Sequence, residues 1–232
     1  MKTVVITGGS GAIGSTIAEL FKKEGYSVAV IYNKNKQKAE LLKKDGIKAY
    51  RADVGDEQSV KAAIKQIKND FGRITCLINC AGITKRACLQ DCSANDFDEI
   101  FSANVKGAFL FSREVISDML FCEKGDIINI SSVWGERAAS CEVLYSASKG
   151  AVNMFTASLA QELCFTPIKV NAIALGFVDT PMNKGLSQEE IADFLEENGF
   201  TRLVTPQEVA LSCLKLVKGK KSGKIIKLFG KR

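Results

Sequence analysis

The chain has 232 residues, 46% hydrophobic and 25% charged, an ordinary globular composition with apolar material for one large core. Net charge is +6, with eight Cys and no His. The lack of His excludes imidazole-activated nucleophiles and the commonest general base, so proton transfer falls to Tyr, Lys, Asp, Glu or Cys.

Strand and helix signals alternate from the start. Residues 2–7 read as a strand, and 12–24 as a helix through Ile13, Ile17, Leu20 and Phe21, stopped by Gly25. Residues 28–32 are a continuous apolar run. A helix over 36–44, a strand over 47–52, a helix over 56–70 and a strand over 74–79 follow. One long helix is predicted over 95–122, then a strand over 126–131, a helix over 144–164 and a strand over 168–174. Helices over 188–197 and 206–218 and a strand over 224–229 complete the chain. Seven apolar strands separated by helices predict an α/β fold, a doubly wound Rossmann-type parallel sheet with helices on both faces. No linker or repeat interrupts the pattern, so residues 1–232 read as a single domain. Ligands of such sheets bind at the carboxyl ends of the strands, near the topological switch point.

No apolar run is long enough to span a membrane, and the apolar start of the chain is too short for a signal peptide. The cysteines form no CxxC pair, so they read as reduced thiols of a cytoplasmic protein and no metal site is expected. Much of the positive charge lies in Lys215, Lys218, Lys220, Lys221, Lys224, Lys227, Lys231 and Arg232. Such a tail attracts anionic partners, including phosphorylated cofactors or an acidic carrier protein. Without interleaved aromatics it does not point to nucleic acid.

Between the first strand and first helix lies Thr7-Gly8-Gly9-Ser10-Gly11-Ala12-Ile13-Gly14. Glycines there let the backbone approach a pyrophosphate, and the following helix offers unpaired N–H groups and a positive dipole end. Gly8, Ser10, Gly11, Ala12, Ile13 and Gly14 are therefore candidate cofactor contacts. At the end of the second strand, Tyr32-Asn33-Lys34-Asn35-Lys36 lacks the carboxylate that would bond the ribose 2′-OH of NAD. NADP(H) is predicted, with Asn33 and Lys34 beside the 2′-phosphate.

The spelling Tyr-x-x-x-Lys occurs twice, at Tyr32/Lys36 and Tyr145/Lys149. The second pair begins a long helix, where i and i+4 share a face. Ser132, thirteen residues before Tyr145, ends the fifth strand at the ligand edge of the sheet. Hydride transfer to a carbonyl builds negative charge on oxygen, which needs a nearby proton donor. A lysine ammonium is expected to lower the tyrosine pKa, and Ser132 to hydrogen-bond the substrate oxygen.

These motifs resemble the short-chain dehydrogenase/reductase family over nearly the whole chain. The matching elements are Thr7–Gly14, Asp53-Val54, Asn79-Cys80-Ala81-Gly82, Asn104, Ser132, Tyr145-x-x-x-Lys149 and Gly176-Phe177-Val178-Asp179-Thr180. The resemblance implies that Asp53 and Val54 contact adenine and that Asn79, Ala81 and Gly82 line the cofactor cleft. It implies that Asn104 holds a water in a proton relay to Lys149. Lys149 would also bind the nicotinamide ribose beside Tyr145, and Val178 and Thr180 would hold the carboxamide. Leu175 stands where the family usually has Pro, and residues 224–232 lack the usual Asp-Gly-Gly ending. A homodimer or homotetramer is implied, the tetramer less securely.

Within the family the sequence is similar to 3-oxoacyl-acyl-carrier-protein reductases, which use NADPH and take a ketone from an acidic carrier protein. The segment before Tyr145 also resembles elongation factor P 5-aminopentanone reductases, which reduce a ketone on a modified lysine. There Cys141 and Glu142 join Ser132 and Tyr145 as candidate substrate contacts, with Glu142 facing an amine cation. A non-catalytic NADP-binding sensor or scaffold is the alternative of another class. The full set Asn104, Ser132, Tyr145 and Lys149 weighs against it.

Overall fold

The computed structural model describes residues 2–43, 46–180 and 187–230. Lys44, Lys231 and Arg232, named above for the second helix and the basic tail, lie outside them. The first half runs β1 (Thr3–Thr7), α1 (Ala12–Lys23), β2 (Ser27–Tyr32), α2 (Lys36–Leu42), β3 (Lys48–Arg51), α3 (Glu57–Phe71) and β4 (Cys76–Asn79). The second half runs α4 (Ala94–Phe101), α5 (Gly107–Phe121), β5 (Gly125–Ser132), α6 (Val143–Glu162), β6 (Ile168–Leu175), α7 (Gln188–Glu197), α8 (Pro206–Lys218) and β7 (Ile225–Leu228).

The strands form one seven-stranded sheet in the order β3-β2-β1-β4-β5-β6-β7, and every pairing is parallel. Alternation along each strand builds two cores. Val4, Ile6, Val28 and Val30 point to the face covered by Ile17 and Phe21 of α1 and Val209 and Cys213 of α8. Val5, Ala29 and Ile31 point to the other face, covered by Val60 and Ile64 of α3, Phe111 of α5 and Leu159 of α6. Burial on both faces is why these strands are unbroken apolar runs. Among the described residues no helix is long and apolar enough to cross a membrane.

The chain leaves β1 toward β2 and β3, then crosses back to place β4 on the other flank of β1. That reversal opens a crevice at the carboxyl ends of β1 and β4.

One expected element is corrected. The helix predicted over 95–122 is two helices, α4 and α5, joined by a π-helical turn at Ser102–Lys106. Asn104 sits in the middle of the turn, and its buried side chain is committed to groups on two other elements. Gly107 follows where the helix presses on the turn after β3: a Cβ there would lie 2.9 Å from Val54 Cγ2.

Candidate active site

Two backbone features shape the floor of the crevice. Gly8 has φ 66°, and a Cβ on it would lie 2.8 Å from Ala81 Cα, so the β1 loop packs directly on the strand-4 loop. The Thr7 hydroxyl ties the two loops by accepting the N–H groups of Cys80 and Ala81, both at 3.0 Å. The N-cap of α1 is Gly11, with no side-chain capping bond and no acidic residue in the first turn. By contrast α4, α7 and α8 all begin with capping boxes. The first N–H groups of α1 are thus left for an anion, and Gly8, Ser10, Gly11, Ala12, Ile13 and Gly14 frame them.

Asn33 and Lys34 are exposed just past the end of β2. Asn35 caps α2 by accepting the Lys38 N–H at 3.2 Å. Arg51, in register with Tyr32 at the end of β3, adds a second cation that sequence reasoning did not single out. Asp53 is exposed, and its Oδ1 accepts the Gly55 N–H at 2.9 Å. Val54 is half-buried beside α5. Together the uncapped helix and the loop glycines fit the pyrophosphate of a dinucleotide.

A cleft of about 590 Å³ continues from Ile13 and Gly82 past the catalytic candidates to α7. Ser132, Tyr145, Lys149, Val178 and Thr180 line it. Ser132 ends β5, its hydroxyl accepts the Trp134 N–H at 3.2 Å, and it lines the same cleft as Tyr145. Lys149 lies one helical turn after Tyr145, and its Nζ donates to the Ile130 carbonyl at 2.9 Å. Burial pushes the Tyr145 pKa up to about 12, helped by the charge of Glu142 and opposed by the Ser132 hydroxyl. Burial pulls Lys149 down to about 8. The lowering of Tyr145 expected from a neighbouring ammonium is therefore corrected: burial of the hydroxyl raises its pKa instead.

Below Lys149, Asn79 Nδ2 donates to Asn129 Oδ1 at 2.8 Å, and Asn129 Nδ2 donates to Thr156 Oγ1 at 2.8 Å. A void of about 10 Å³, lined by Asn79, Ala81, Asn104, Asn129 and Ile130, has room for about one water. Asn79 Oδ1, buried without a protein partner, is at hand to bond one.

The two substrate candidates part company. Glu142 lines the cleft, makes no capping bond at the start of α6, and has its pKa raised by burial, with Arg86 opposing. Cys141 is not among the cleft-lining residues. Its sulfur lies 3.6 Å from Cys88 Sγ, and its backbone is left-handed at φ 59°. Sequence reasoning missed the aromatic wall: Trp134 packs edge-on against Phe194 at 5.7 Å, and Phe177 lies 4.6 Å from Phe194. These residues come from the turn after β5, the loop after β6 and α7, so no local pattern links them.

Comparison with known proteins agrees with this geometry. The short chain dehydrogenase family model matches residues 2–191. The 3-oxoacyl-[acyl-carrier-protein] reductase of Staphylococcus aureus is 35% identical over 215 residues, spanning 90% of this chain and 87% of its own length. The acetoacetyl-CoA reductase of Paracoccus denitrificans is 33% identical over 211 residues, 90% of this chain and 87% of its own. An uncharacterized oxidoreductase of Bacillus subtilis, YmfI, is 34% identical over 216 residues, 90% and 88%. This chain belongs to the short chain dehydrogenase family, a family of oxidoreductases that bind a nicotinamide cofactor.

Proposed function

We propose that this chain is one catalytic domain that reduces a ketone to a secondary alcohol with NADPH, on a 3-oxoacyl substrate held by an acidic carrier protein. The observation that carries the reading is Tyr145 and Ser132 together on the cleft wall, with the buried Lys149 one turn away. The uncapped start of α1 with Gly8 to Gly14 would hold the pyrophosphate, Lys34 and Arg51 the 2′-phosphate, Asp53 and Val54 the adenine, and Val178 and Thr180 the carboxamide. NADPH, when bound, supplies the hydride.

The chain supplies the proton. Ser132 hydrogen-bonds the substrate oxygen, and the neutral Tyr145 hydroxyl donates as negative charge develops there. Lys149 holds the ribose, and a water held by Asn104 relays protons to Lys149. Exposed Phe109 on α5 and Val143 and Met154 on α6 support a homodimer or homotetramer.

Tyr145→Phe is expected to keep NADPH affinity and to lose about 10³-fold in kcat, the scale of general-acid catalysis. Unchanged turnover removes this reading, and NADPH binding without turnover in the parent chain favours a sensor.

A second reading rests on Glu142. Its half-buried carboxylate faces the cleft and would be neutralised by a substrate ammonium. That suits the aminoketone that 5-aminopentanone reductases take on elongation factor P. A panel of acetoacetyl thioesters against aminoketone-bearing elongation factor P, with NADPH, separates the two.

A further inference from the structure

Cys88 and Cys141 meet beside the cleft-lining residues Arg86, Ser140 and Glu142, from two segments 53 positions apart in sequence. Cys141 directly precedes Glu142 and the start of α6. Cys88 ends the extended segment that carries the cleft residues Thr84 and Arg86. The backbones are already tied, because the Ala87 N–H donates to the Cys141 carbonyl at 2.8 Å. The sulfurs lie 3.6 Å apart, Cys88 is exposed and Cys141 half-buried. The left-handed backbone of Cys141 is uncommon for a residue with a side chain, so the surrounding segment holds that sulfur in place. Cys92 Sγ donates to the Cys88 carbonyl at 3.5 Å rather than joining the sulfur pair. Among the described residues no group of three or more His, Cys, Asp or Glu is arranged to hold a metal ion.

We propose that Cys88 and Cys141 form a reversible oxidation site, and that their disulfide, made by a peroxide, clamps the cleft mouth and lowers turnover. One thiolate attacks a peroxide oxygen: an S–O bond forms, the O–O bond breaks, and the departing hydroxide leaves as water with that thiol's proton. The second sulfur then attacks the sulfenic sulfur. The S–S bond forms, the S–O bond breaks, and a second water leaves with the second thiol's proton. The two thiols give up two electrons and two protons, and one hydrogen peroxide becomes two waters.

The mechanical consequence follows from distance. A disulfide holds its sulfurs about 2.05 Å apart, so this pair must close by about 1.5 Å. Cys141 is four residues from Tyr145 and next to Glu142, so the displacement is delivered to the proton donor and the cleft entrance. Misplacing a positioned reacting group by about 1 Å can cost about 10²-fold in rate.

The test uses the whole chain treated with hydrogen peroxide under native conditions. Peptide mapping without reduction should find Cys88 linked to Cys141, two hydrogens lighter than the free peptides and cleaved by dithiothreitol. The chain's one Trp, Trp134, lines the cleft, so acrylamide quenching of its fluorescence reports access there. Quenching should fall on oxidation and recover with dithiothreitol. Ketone turnover should fall about tenfold or more and recover likewise. Cys88→Ser should turn over normally and show none of these responses. The turnover arm rests on the reductase reading, whereas peptide and quenching arms do not, so the two ideas fail separately. A missing linked peptide, a linked peptide with unchanged quenching, or an equal response in Cys88→Ser overturns the proposal.

Discussion

Asn104 grips the backbone of Ile83 in both directions. Its Oδ1 accepts the Ile83 N–H at 2.8 Å, and its Nδ2 donates to the Ile83 carbonyl at 2.9 Å. The remaining Nδ2 hydrogen goes to Ser148 Oγ at 2.9 Å on α6. One amide thus joins the π-helical turn, the strand-4 loop and the helix that carries Tyr145 and Lys149.

Asn104→Ala should therefore lower stability as well as activity. Three hydrogen bonds, one buried and two partly buried, at about 1 kcal/mol each, with partners left unpaired, predict a loss of about 2–4 kcal/mol in urea unfolding. Asn104→Asp keeps the Ile83 N–H acceptor but no donor, and should fall between the two. A wild-type midpoint in Asn104→Ala would show that this amide does not hold the three elements together.

Lys149 carries a buried charge at the expense of stability. Its pKa in the fold is about 8, below its unfolded value. Below pH 8 the folded chain must hold an ammonium that burial disfavours, and the cost fades as pH rises toward the unfolded pKa of roughly 10.4. Lys149→Met should be inactive yet more stable at pH 7, by on the order of 1–3 kcal/mol less the lost Ile130 bond. The gap should narrow above pH 8. Equal stability at every pH would deny the cost.

The same values set the pH profile. Free-enzyme pKa values appear in kcat/KM. Tyr145, at about 12, stays protonated through the working range, so the Lys149 ammonium decides the outcome. For ketone reduction kcat/KM should be level to about pH 7.5 and then fall about tenfold per pH unit. A rise through that range would contradict the assigned roles.

The proposed NADPH reading places Lys34 at the 2′-phosphate. Lys34→Glu should raise the NADPH dissociation constant by about tenfold or more, the scale of one charge-assisted hydrogen bond, and leave NADH within about twofold. Equal weakening of both cofactors would place Lys34 away from the 2′-phosphate.

The aminoketone reading places Glu142 at the substrate amine. Glu142→Gln should lower kcat/KM for an aminoketone substrate by about tenfold and leave an acetoacetyl thioester unchanged. Parallel changes in both substrates would reject the amine contact.

The seven-strand sheet was legible because two-sided burial writes itself as runs such as Val4-Val5-Ile6 and Val28 to Tyr32. Tyr145 and Lys149 were legible because helical spacing is local, and Ser132 because it ends a strand. The break at Ser102–Lys106 was hidden, since its cause is Asn104 reaching Ile83 and Ser148 across the fold. Burial energies were hidden too, which is why the expected lowering of Tyr145 reversed. The Trp134–Phe194 wall and the Cys88–Cys141 contact join segments whose separation carries no periodic signal.

The π-helical turn has a consequence for how this chain tolerates length changes. In an α-helix each residue advances the side-chain direction by about 100°, and a π turn holds one residue more than an α turn. Ser102–Lys106 therefore acts as a phase shifter between α4 and α5. Deleting any one residue there could restore an unbroken helix, yet would swing Asn104 away from Ile83 or turn Phe111 and Val115 off the core. A change in its length would force the chain to choose between an anchored catalytic loop and a filled core.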